Sequence, residues 1–118
     1  MAFSPIDHYV PLARAAEEAG VYGILLSDHI FYPQKLDSPY PYSPDGKPIW
    51  DPSTPWPDVW VTTGAMVSAT SRLHFGQSIY IAPARDVMTA GKAVGTAAAL
   101  SGNRIHLALG AGWMKEEF

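Results

Sequence analysis

Cysteine is missing from the 118 residues, which excludes a disulfide framework and any thiolate metal site and fits a reducing compartment. Charge is sparse as well. Only 16% of residues are charged, the eight Lys and Arg are scattered, and the formal net charge is −3, so no basic face exists to hold nucleic acid. No apolar run approaches the roughly 20 residues that a membrane helix needs. The opening Met1-Ala2-Phe3-Ser4-Pro5 has neither a basic segment nor an apolar one, so a secretory leader is not expected and the cytoplasm is the expected place. The four histidines, at 8, 29, 74 and 106, share no ligand spacing, and a metal site is not expected.

What is present is a 47% hydrophobic chain long enough for one modest domain with a core. From about Asp7 to Ala19 small apolar residues, Leu12, Ala15, Ala16 and Ala19, face away from Arg14, Glu17 and Glu18. This predicts a helix that Asp7 could cap and Gly20 ends. A buried strand follows from about Gly23 to Ser27. Pro57-Asp58 opens a second helix to about Ala69, with Val59, Thr62, Thr63, Met66 and Val67 able to face a core. Leu73 to Ile79 reads as a strand. Asp86 caps a third helix in which Val87, Gly91, Val94 and Ala98 fall on one stripe, and Arg104 to Leu109 is a further strand running into Gly110-Ala111-Gly112-Trp113. Strands alternating with crossovers of helical length predict parallel β/α units.

Residues 31–57 break this rhythm. Prolines 33, 39, 41, 44, 48, 52, 55 and 57 lie here, among Phe31, Tyr32, Tyr40, Tyr42, Trp50 and Trp56. So long a loop is commonly functional or disordered, and so many aromatics favour an ordered wall over the strand ends rather than a floppy insertion.

Asp28-His29 stands where the first strand ends, the place where parallel α/β proteins put their chemistry. Imidazole titrates nearest neutrality, so His29 can serve as a general acid or base, with Asp28 beside it to orient or charge it. The same pair could equally be two polar residues leaving a strand and bonded to the loop. Gly110-Ala111-Gly112 lacks the third glycine of a dinucleotide motif. It reads as a turn presenting backbone N–H groups to a cofactor, or as tight-turn geometry alone. Gly91-Lys92 lies within a helix and is no phosphate loop.

Taken together, Ala16-Glu17-Glu18-Ala19-Gly20, Ser27-Asp28-His29, Ser68 through Gly76, and Pro83 through Phe118 resemble the luciferase-like flavin and deazaflavin oxidoreductases. In the last stretch Leu100-Ser101-Gly102-Asn103-Arg104, Gly110-Ala111-Gly112-Trp113 and Glu116-Glu117-Phe118 follow the family's order. The resemblance implies a (β/α)8 TIM barrel, an α/β fold of parallel strands that typically needs roughly 250 residues. The chain would then be about the first half, incomplete at both ends, forming one partial domain over 1–118.

The activity so implied is an F420-dependent oxidoreductase, passing a hydride between the deazaflavin and a small organic substrate, with His29 and Asp28 as catalytic residues. Gln77, Ser78 and Ile79, and Gly110, Ala111 and Gly112, are the implied cofactor contacts. The family also implies a non-proline cis bond between Ser78 and Ile79, a rare form. An FMN-dependent monooxygenase is the alternative. Ala111 stands where some FMN-using relatives carry a basic residue, and so leans toward F420. A third reading is an inactive, truncated half-barrel. Open sheet edges in such a half lead us to expect association between copies. Asn103, Val87 and Ala108 depart from the family's usual residues.

Overall fold

The computed structural model describes residues 1–118. The chain begins with a 3-10 turn, Ile6–His8, that runs into helix α1, Tyr9–Glu18. Gly20, at φ +76°, ends this region. Its N–H reaches the Glu17 carbonyl while that of Val21 reaches Ala16, the paired bonds of a Schellman stop. Strand β1, Gly23–Leu26, follows. After the long loop come α2, Val59–Ser68, and β2, His74–Gln77. A short β3, Tyr80–Ile81, precedes α3, Val87–Ser101. Strands β4, Ile105–His106, and β5, Leu109–Gly110, close the order.

All pairings are parallel. β1, β2 and β4 form one sheet in that order, and β3 pairs with β5 beyond it. The strand expected over 73–79 ends at Gln77, with β3 starting only past its expected limit, and the strand expected over 104–109 is divided into β4 and β5. The Ser78-Ile79 peptide bond is cis and lies where β2 gives way to β3. No helix is long and apolar enough to cross a membrane.

Helix starts follow local chemistry. The Asp58 carboxylate accepts from the Trp60 and Val61 N–H groups at 2.9 Å each, and Asp86 accepts from Thr89 at 2.8 Å, satisfying donors that the first helical turn leaves free. Asp7 makes no capping bond. At the far end of α3, Gly102 and Asn103 both have left-handed φ, +64° and +63°. Asn is one of the few side chains that tolerate that region, which accommodates its departure from the family's residue.

One face of the sheet is covered. Leu26 and Phe75 point into a core with Tyr9 and Ala13 of α1, Val59, Trp60, Met66 and Val67 of α2, and Ala97 of α3. The helix faces are rotated from those expected. Leu12 and Ala15 are exposed while Tyr9, Ala13 and Ala16 face inward. In α3, Val87 and Gly91 are exposed, and Ala90, Ala93, Val94 and Ala97 carry the contact. In runs of Ala and Gly several stripes have nearly equal hydrophobicity, so larger neighbours such as Tyr9 decide. Thr62 turns its hydroxyl back to the Asp58 carbonyl, 2.7 Å away, and Trp60 fills the core in its stead.

Two polar side chains tie these layers. Glu17, expected on a solvated face, accepts the N–H groups of Ser71, Arg72 and Leu73. The Arg72 and Leu73 amides, with that of Ser71, hold its carboxyl at about 2, because they favour the charged form. Arg104 donates to the carbonyls of Leu73 at 2.6 Å, Ser101 at 2.7 Å and Thr70 at 3.1 Å, tying the end of α3 to the segment between α2 and β2. The other sheet face is uncovered. Tyr22 stacks there on His74, whose Nδ1 lies 2.9 Å from His106 Nε2.

Candidate active site

Beyond the carboxyl ends of β1 and β3 lies a cavity of about 540 Å³. Side chains leaving the end of β1 diverge, because successive residues of extended chain point to opposite sides. Asp28 turns inward and is buried. Its two oxygens take a bidentate pair of bonds from Arg85, 2.7 Å each, and the Ile81 N–H at 2.9 Å. The Arg85 guanidinium also lies 4.8 Å from the Tyr80 ring centroid. The fork thereby fixes the end of β1 to β3 and to the entry of α3.

The expectation that Asp28 orients or charges His29 is therefore corrected: its carboxylate is bound by Arg85 and the Ile81 N–H and not by the His29 ring. The carboxylate that meets His29 is Glu117, at 3.1 and 3.3 Å from Nδ1. Glu117 also accepts the Ile30 N–H at 2.6 Å. The His29 side chain is 9% exposed and that of Glu117 fully buried. Sequence reasoning missed Glu117 because it lies 88 residues away. The available signal was the acidic pair 116–117 that ends the family-like stretch.

The long loop supplies the wall opposite the strand ends. Trp50 and Trp56 lie 5.1 and 4.8 Å from the His29 ring, centroid to centroid, and Trp113 lies 5.9 Å away. Tyr40 packs edge-on against Trp50 and Trp113, and Phe3 joins from the chain start. Edge-to-face arrangements at these separations add to simple burial. No regular helix or strand forms in the loop, yet polar bonds hold it. Glu116 accepts from the Asp37 and Ser38 N–H groups at 2.9 and 3.0 Å, and the Lys115 N–H donates to Ser38 Oγ. The Ser38 side chain, together with those amides, keeps the Glu116 carboxyl down at about 2. It stays charged and bonded throughout the neutral range.

Of the residues implied as cofactor contacts, Ser78, Ile79, Ala111 and Gly112 line the cavity with Asp28 and His29. Gln77 and Gly110 do not. Gln77 shares the helix-facing side of β2 with Phe75, is 1% exposed, and has neither amide atom paired. Gly110 pairs with Ile81 behind the lining, and a side chain there would collide with that of Ile79. Gly112 has φ +79°, and a Cβ would stand 3.0 Å from Ile81 Cγ2 and 3.1 Å from Phe118 Cζ. The two turns thus form a floor of backbone and small side chains under an aromatic roof. None of the 16 lining residues is Lys or Arg. No group of three or more His, Asp or Glu side chains is placed to hold a metal ion.

Residues 2–118 match the family described as luciferase-like monooxygenase. An uncharacterized protein of Mycobacterium tuberculosis is 37% identical over 99% of this chain, and the match spans 41% of that protein. A second uncharacterized protein of the same species is 29% identical over 89% of this chain and 37% of its own length. The chain thus spans about two fifths of the curated relatives it matches. Among solved structures it superposes, at TM-score 0.67, on the oxygenating constituent of 3,6-diketocamphane monooxygenase from Pseudomonas putida, a type II Baeyer-Villiger monooxygenase in complex with FMN. Identity there is 16%, over 91% of this chain and 24% of the other, so the likeness is one of fold. The parallel β/α units are those of an incomplete TIM barrel.

Proposed function

Because the chain belongs to the luciferase-like monooxygenase family, we propose that it forms one wall of the active site of an F420-dependent oxidoreductase acting on a small organic substrate. The observation that carries this reading is the convergence of His29, the Ser78-Ile79 backbone and the Ala111-Gly112 turn on one cavity roofed by tryptophans. Its volume suits a planar tricyclic ring. Ser78, Ile79, Ala111 and Gly112 would lie along such a ring. When bound, the deazaflavin supplies the hydride chemistry. The protein's share is to exclude water with the aromatic roof and to move a proton at His29.

The absence of Lys and Arg from the lining supports the view that this segment holds the ring end of a cofactor and leaves the phosphate end to residues outside it. An FMN-dependent monooxygenase is the second reading, favoured by the FMN bound in the solved relative. Turnover under anaerobic conditions separates the two, since a monooxygenase consumes dioxygen and plain hydride transfer does not. An inactive, truncated half-barrel is the third reading, and size exclusion with cofactor titration on the 118 residues themselves tests it. The sheet ends at β1 and β4, and such open edges support association between copies.

In a barrel-length protein carrying this sequence, His29→Ala is expected to lower turnover by at least about 100-fold while changing cofactor affinity much less. Steady-state kinetics beside a cofactor titration measures both. Unchanged turnover would remove His29 from the chemistry.

A further inference from the structure

The contacts around His29 carry one step more. We infer that Glu117 is a positioning residue, which fixes the ring of His29 as the tautomer with its proton on Nδ1 and so leaves Nε2 as the atom available to the cavity. The inference rests on the acid/base reading of His29, but its structural half can be tested without it.

A carboxylate offers only acceptors, so the imidazole nitrogen facing it must carry a proton. Both Glu117 oxygens lie within 3.3 Å of Nδ1, and no other polar side chain bonds to either ring nitrogen. The Glu117 side chain has no exposure to water. It cannot turn away at low cost, because the Ile30 N–H at 2.6 Å holds the same Oε1. That backbone bond belongs to the residue after His29, so carboxylate and imidazole are both referred to one short piece of chain. Trp50, Trp56 and Trp113 then fix the plane of the ring from three sides. A neutral imidazole held in this way accepts a proton only at Nε2, and once protonated it can give the proton back from the same atom. Choice of ring nitrogen by a bond to the other is a general device in histidine chemistry.

Glu117→Leu is the informative change, since it keeps most of the bulk and removes both acceptors; a Gln oxygen in the place of Oε1 could go on accepting Nδ1–H beside the Ile30 N–H. With no acceptor facing it, Nδ1 is no longer held protonated, and the ring would move toward the Nε2–H form. Two-bond 1H–15N correlation spectra of histidine-labelled full-length protein read the tautomer directly, with the His29 signal assigned by its loss in His29→Gln. The expected result is Nδ1–H in the parent, a shift toward Nε2–H in Glu117→Leu, and turnover reduced by at least about 100-fold, with partial recovery in Glu117→Asp. An Nε2–H ring in the parent, or the same tautomer in parent and Glu117→Leu, would overturn the inference. A switched tautomer with unchanged turnover would uphold the positioning and overturn instead the acid/base role of His29. Thermal melting of each variant separates loss of fold from loss of tautomer.

Discussion

Asp28 and His29 are neighbours in sequence with opposite tasks. Both border the cavity, but the Asp28 carboxylate is bound to Arg85, whereas the His29 ring meets Glu117. Removing one member of a buried ion pair leaves the other charged and unpaired, which typically costs 3–5 kcal/mol. The Arg85 side chain is 19% exposed and that of Asp28 only 2%, so Arg85→Met should destabilise by about 3 kcal/mol, near the lower end of that range. Urea unfolding measures it, and a loss below about 0.5 kcal/mol would show that the pair is only a surface contact. The importance of 28–29 was legible in the sequence, because a strand end marks itself locally. The partners were not, since Arg85 and Glu117 lie 57 and 88 residues along the chain and no local pattern encodes such a distance. Gln77 shows the reverse. Its place beside Ser78 suggested the cavity, but strand alternation turns it toward the helices.

At the scale of elements, boundaries were easier to read than faces. Asp58, Asp86 and Gly20 act within one turn of their own positions, so the helix limits fell within a residue or two of those expected. The buried stripes of α1 and α3 depend on what lies across from them, and Ala-rich sequence gives little basis for choosing. Glu17 illustrates what a solvated-face reading conceals. Its carboxyl is at about 2 in the folded chain against an ordinary 4.5. The native state therefore binds the proton less readily than the unfolded chain. The resulting stability is fully present above about 4.5 and is lost as pH falls toward 2. Glu17→Gln should flatten the dependence of stability on pH between those limits. Denaturant titrations at a series of pH values test this, and an unchanged slope would assign the acid sensitivity to other carboxylates.

On the scale of the whole molecule, the sheet is finished on one side only. Helices cover the Leu26 and Phe75 face, while Leu25, Tyr22 and Leu109 on other surfaces remain open. The 118 residues are therefore expected to bind F420 or FMN more weakly than micromolar, since a barrel's phosphate contacts frequently come from its seventh and eighth strands. Equilibrium dialysis against each cofactor checks this, and micromolar or tighter binding by a monomer would mean that the cavity described above is a complete site. The parallel β/α order was legible because crossovers of helical length leave few other solutions. The interruptions of the later strands, at 78–79 and at 107–108, were not, because the apolar pattern runs on through both.

The adjacent glutamates that fasten the loop and the histidine also set a timetable for synthesis. Asp37, Ser38 and His29 leave the ribosome roughly 80 residues before the carboxylates that hold them, as the separations of 78 to 88 show. At about 5–20 residues per second, that is a wait of about 4–16 s. During it the tryptophans of the loop have neither their third partner, Trp113, nor their fastening. The nascent chain thus carries an unsealed aromatic surface for seconds, an interval in which a chaperone can engage it.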